Sequence, residues 1–108
     1  MTREELRKHL VDEISMYRSL LSYDAVAALS GPLKHHFGNP DTSEFYRVDA
    51  RVLQRWNRDN EDWIELLVSV DDGVPHGAVL GRMFNVIAPE SGSLVFHRDG
   101  RIETVLRD

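Results

Sequence analysis

Five side chains are the candidates for chemistry or recognition: Trp56, Trp63, Asp71, Asp72 and His76. Asp71-Asp72-Gly73 with His76 puts two carboxylates and an imidazole within six positions, a set that can hold a cation or move a proton. The same residues also make a strand-ending turn, in which Asp and Gly satisfy the backbone. No nucleophile or oxyanion-stabilising loop accompanies them, so the turn is the favoured reading. Trp56 and Trp63 flank a short polar link, 57–62. If that link is a hairpin loop, the two indoles lie near each other across a strand pair. Exposed, they form a recognition platform; buried, they cap the core, and burial of at least one ring is expected. Arg51, Arg55 and Arg58 run beside them and can stack on the rings or pair with Asp59, Glu61 and Asp62. A solvated, self-neutralising charged face is the favoured outcome.

Other constellations are weaker. His35-His36 lies beyond Pro32, but adjacent residues seldom aim both rings at one metal, and no carboxylate is spaced to complete a ligand set. There is no G-x-S-x-G, G-x-x-x-x-G-K-[ST], G-x-G-x-x-G or H-E-x-x-H. The expectation is a protein with no catalytic residue, no metal and no cofactor.

Composition bounds the rest. The chain has 108 residues, a net charge of −5 and no cysteine, which excludes a disulfide scaffold and a thiol nucleophile. The acidic balance argues against a nucleic-acid surface built on bulk charge. Eleven of the thirteen cations are Arg, a bias attributed to a GC-rich genome rather than to a phosphate site. No apolar run is long enough to span a bilayer, and Thr2-Arg3-Glu4-Glu5 does not open a signal peptide, so a cytoplasmic protein is expected.

The elements that must position these side chains change character midway. Thr2 and Glu5 have the spacing of a capping box. Leu6, Leu10, Ile14, Tyr17 and Leu21 follow at steps of four, four, three and four, widened by Val11 and Leu20, which predicts an amphipathic helix over about 3–22. Ser22-Tyr23-Asp24 caps a second short helix that Gly31-Pro32 stops, giving a helical hairpin or one kinked helix. Residues 31–43 read as a loop.

From there the repeat becomes two. Ile64, Leu66, Val68 and Val70 mark a strand over 62–71, and Trp63 and Leu67 face away from that row. Leu94–Phe96 and Ile102–Val105 flank Asp99-Gly100, a pair suited to a two-residue type I′ turn. Residues 45–56 fit strand or helix. Strand is favoured, with Tyr46, Val48, Ala50, Val52 and Trp56 on one side and Arg47, Asp49, Arg51 and Arg55 on the other. Residues 78–88 are equally ambiguous, and Gly81 and Pro89 tilt them toward strand.

The expectation is an α+β fold in a single domain: helical over 1–30, a loop over 31–43 and β-rich over 44–108. An N-terminal helix or helical hairpin packs on an antiparallel sheet of four to five strands. The expected core is Leu6, Leu10, Ile14, Tyr17, Leu66, Val68, Val70, Phe84, Val86 and Phe96. Two-sided apolar strands call for something to cover the second face, which favours a non-enzymatic interaction module that binds a protein partner or a second copy, as a homodimer, and neither nucleic acid nor membrane. In element order the chain resembles cystatin-like and NTF2-like cones. That architecture implies an alternative, a pocket for a small apolar ligand with Asp71, Asp72 or His76 at its mouth as acid or base. A third reading is an inhibitor or immunity-type protein that uses its acidic charge against a basic active site.

Overall fold

The computed structural model describes residues 2–38, 45–59, 61–72 and 89–106. Helix α1 spans Arg3–Leu20 and begins at the anticipated box: Thr2 Oγ1 accepts from the Glu5 N–H while Glu5 Oε1 accepts from the Thr2 N–H. Two otherwise orphaned donors are thereby satisfied. Leu21 turns to an extended backbone, and Ser22 caps α2, Tyr23–Ala27, by accepting from the Ala25 N–H. The chain therefore forms two separate helices, broken at Leu21 and Ser22, rather than one kinked helix. Among the described residues no helix is long and apolar enough to cross a membrane.

Five antiparallel strands follow in sheet order β1-β2-β3-β4-β5. They are β1 Leu33–Phe37, β2 Tyr46–Arg58, β3 Glu61–Asp71, β4 Glu90–His97 and β5 Ile102–Leu106. The fold is α+β, a leading helix on an open five-stranded sheet. One sequence reading of an element changes. Residues 33–37 lie in the stretch read as loop, yet they pair with β2 from Leu33↔Ala50 to Phe37↔Tyr46. The breakers Gly31-Pro32 and Gly38 bound this strand instead of filling a loop, and Gly38 turns the chain at φ +83°. The ambiguous stretch 45–56 is strand, as favoured. Residues 78–88, and with them Phe84 and Val86, lie outside the described residues.

One face of the sheet carries the core. Val48, Ala50, Ile64, Leu66, Val68, Val70, Leu94 and Phe96 point toward α1 and meet Leu6, Leu10, Ile14 and Tyr17, with Val26 of α2 closing one end. Val11 and Leu20, read as part of the apolar stripe, stay exposed because the sheet reaches only the narrower row. Alpha-helix and sheet meet closely at Gly92. A Cβ there would lie 2.8 Å from Ile14 Cδ1 and 3.1 Å from the Val105 carbonyl, so any larger residue requires Ile14 and the neighbouring strand to shift. The start of α1 is held by Arg3, whose Nε lies 2.8 Å from the buried Glu90 carboxylate.

The hairpin turns differ from expectation. Glycine 100 has φ +100°, its N–H donates to the His97 carbonyl, and the His97 N–H donates to the Arg101 carbonyl. Asp99 keeps a negative φ. The link is thus a three-residue loop with its left-handed residue at Gly100, not a two-residue type I′ turn. The two-residue link occurs instead between β2 and β3, where Arg58 pairs with Glu61 and Asp59 takes φ +56°.

Candidate functional site

The outer face of the sheet, opposite α1, carries a site at the β2–β3 tip. Register places Trp56 directly across from Trp63, and Trp63 beside His97 on β4. The two indoles stack, with centroids 5.8 Å apart and planes 10° from parallel. The Arg58 guanidinium carbon lies 5.2 Å from the Trp56 ring centroid, within cation–π range. Trp56 remains 38% exposed and Trp63 is half-buried. His97 adds an imidazole whose Nε2 is 3.2 Å from Glu103 Oε2, close enough for an ion pair once the ring is protonated. Its Nδ1 lies 3.1 Å from Arg101 Nη2.

A β-bulge produces this site. Val52 pairs with Leu66, but the next pair is Gln54 with Glu65, so Leu53 is the extra residue. The two-residue turn and the core alignment of Val48, Ala50 and Val52 demand registers one residue apart, and the bulge reconciles them. Beyond it the strand changes phase. Trp56, read on the same side as Val48 and Val52, therefore turns outward to join Trp63. Arg55, read on the polar side, turns inward and reaches the Ala27 carbonyl at 3.3 Å, near the end of α2. Sequence alternation alone put the two indoles on opposite faces; the extra residue puts them on one.

The three arginines beside the indoles part company. Arg51 forms a two-pronged bond to Asp49 at 2.8 Å, Arg55 caps α2, and Arg58 stacks on Trp56. Asp62, an anticipated partner for them, pairs instead with Arg98 at 2.8 Å, and that hydrogen bond raises the Arg98 pKa above the ordinary arginine value.

Asp71 and Asp72 are at the other end of β3. Eight residues separate Trp63 from Asp71, about 26 Å of strand, so these candidates do not share a site. Asp71 pairs with Arg47 at 3.0 Å and Asp72 follows half-buried at the strand's end. His76 lies outside the described residues. A depression of about 340 Å³ beside Asp71 is lined by Lys34, His36, Arg47 and Asp49 among others, a polar surface. Among the described residues no group of three His, Asp or Glu is placed to hold a metal. His35 and His36 point to opposite faces of β1, as alternation requires.

One cluster escaped the sequence reading. Glu13 is 6% exposed, and its Oε2 lies 3.3 Å from His35 Nε2, while the Tyr17 hydroxyl lies 3.5 Å from His35 Nδ1. Phe37 and Tyr46 stack at 5.0 Å beside them, and His9 stacks on Tyr46 at 4.0 Å. Burial first, then the negative charges of Glu13 and Asp49, push the Tyr17 hydroxyl up to about 12. Burial likewise raises Tyr46, with Glu13 and Asp12 adding to it. The available signal was a carboxylate at position 13, inside the stripe of Leu10, Ile14 and Tyr17. Glutamate is seldom buried without a partner. The cluster ties the edge strand β1 to α1.

Comparison of the chain with models of protein families, with characterised proteins and with solved structures gives no significant match.

Proposed function

We propose that the protein is a binding module that recognises a protein partner through the outer face of its sheet at the Trp56–Trp63–Arg58 stack. The observation that carries the reading is the stacked, part-exposed indole pair with a guanidinium over it. Trp and Arg are the residue types most enriched among the side chains that dominate protein interfaces. A bulge that re-aims one indole away from the core favours a role for it in solvent, because bulges recur where a side chain is redirected for use. Leu53, exposed at the bulge itself, extends the apolar surface.

The test is a capture experiment that compares the wild-type chain with Trp56→Ala and Arg58→Glu. A protein retained by the wild type and lost by both variants, at unchanged melting temperature, is the expected result. An identical set of bound proteins across all three overturns the reading. A second reading, self-association, is favoured by a separate surface at β5, which among the described residues is an edge strand.

A further inference from the structure

We propose that two copies of this chain join edge to edge through β5, about a two-fold axis at Thr104, into one continuous antiparallel sheet. The proposal concerns a different surface from the indole stack and stands apart from that reading.

The argument starts from hydrogen-bond phase. The His97 N–H donates to the Arg101 carbonyl at 2.8 Å, and β4 pairs with β5 from Phe96↔Ile102 to Gly92↔Leu106. In an antiparallel ladder bonded and non-bonded pairs alternate, so Glu103 and Val105 bond inward to β4. The N–H and C=O groups of Ile102, Thr104 and Leu106 then point outward, and among the described residues β5 is the last strand on that side. Such an edge is a template for another strand.

Symmetry limits what a second copy can do there. A two-fold axis between identical antiparallel strands, with both helices on the same side of the sheet, passes through a residue of the strand, and the register it sets decides which outward groups find partners. An axis at Glu103 pairs Ile102 with Thr104 and leaves Leu106 without a partner within β5, and an axis at Val105 does the same to Ile102. An axis at Thr104 alone gives all three a partner: Thr104 meets its own copy, and Ile102 and Leu106 meet each other twice. On the helix side this sets Ile102 against Leu106, which is 43% exposed in the single chain. On the other side Glu103 faces Val105, which is 46% exposed. Val11 lies on the same flank, since α1 turns Arg7 toward Glu90 and Arg18 toward Thr104, and Val11 falls between them on the helix surface.

The opposite edge lacks this character. Strand β1 carries Lys34, His35 and His36, and His35 is engaged by Glu13. Charged side chains on an edge are a common defence against pairing. A strand edge with a few flanking apolar side chains falls at or below the ~1,200 Å² of small specific interfaces, so the dimer is reversible and dissociates on dilution.

The experiment is sedimentation equilibrium of the full chain, wild type against Thr104→Pro. Proline at 104 removes an outward N–H, which edge positions tolerate, together with the hydroxyl that accepts from Arg18 at 2.7 Å. The expected result is a concentration-dependent dimer for the wild type and a monomer for Thr104→Pro. A second variant covers the case in which proline unfolds the chain. The protein has no cysteine, and the axis puts Thr104 Cα about 5.5 Å from its copy, within disulfide reach. Mild oxidation should link Thr104→Cys into a dimer and leave Arg98→Cys, on the turn, largely monomeric. A wild type that stays monomeric at every concentration overturns the proposal, as does a dimer unchanged by Thr104→Pro or equal cross-linking of the two cysteine variants. Trp56→Ala should dimerise like the wild type, which separates this outcome from that of the indole surface.

Discussion

The two faces of the sheet use the same strands for different ends. The inner face buries Leu66, Val68, Val70, Leu94 and Phe96 completely against α1. The outer face mixes Arg47–Asp71 and Arg51–Asp49 ion pairs with the stacked indoles. Buried apolar area stabilises by about 25 cal/mol per Å², whereas exposed ion pairs contribute little. Stability should therefore reside inside and recognition outside. One residue, Leu53, decides on which side Trp56 falls.

Substitutions ranked by expected effect can break or sharpen that division. Leu66→Ala, at a fully buried inner position, should lower stability by about 2–5 kcal/mol in denaturant unfolding. A loss below about 1 kcal/mol would mean that this row does not face the helix. Gly92→Ala should cost about 1–3 kcal/mol, because the new methyl drives into Ile14 and the Val105 carbonyl. A shortened Ile14 (Ile14→Ala) in the same chain should recover part of that loss, measured as non-additivity of the two changes.

The edge cluster gives a pH signature. Because folding raises the Tyr17 hydroxyl from 10.0 to about 12, the unfolded chain releases a proton in that interval that the folded chain retains. That contribution is fully present below pH 10 and is lost as pH rises toward 12. Tyr17→Phe should flatten this part of the alkaline unfolding curve, and an unaltered curve would show that the hydroxyl is not buried. The smallest effect belongs to the outer face. Trp56→Ala should change stability by less than about 1 kcal/mol, since its ring is part-exposed and packs chiefly on Trp63 and Arg58. A loss as large as that of Leu66→Ala would place Trp56 in the core and end the distinction between the faces.

Much of the architecture was legible from residue spacing. Thr2 and Glu5 marked the helix start, and Ile64–Val70 marked the central strand, because burial on one face imposes a strict period on the chain. Beta-strand 1 was hidden by its flanking Gly31-Pro32 and Gly38, whose turn chemistry suggested a loop across the whole stretch. The candidate site was half legible. The pairing of Trp56 with Trp63 follows from the short polar link between them, but the phase change at Leu53 has no marker such as Gly, and it arises from a mismatch between a turn and a core that only the paired strands reveal. Asp71 was drawn into the candidate set by its neighbours Asp72 and His76, whereas its partner in the sheet is Arg47, twenty-four residues away in sequence. Local spacing does not report such pairs.

The most direct measurement is a two-dimensional NMR experiment on the indole protons of the wild-type chain, assigned with Trp56→Phe and Trp63→Phe. Cross-relaxation between the two ring systems, together with contacts from Arg58 to Trp56, is what the bulged register requires. Contacts from the Trp56 ring to the methyl groups of Ile64 or Phe96 ring protons, and none to Trp63, would put it on the helix side and contradict the placement of the site.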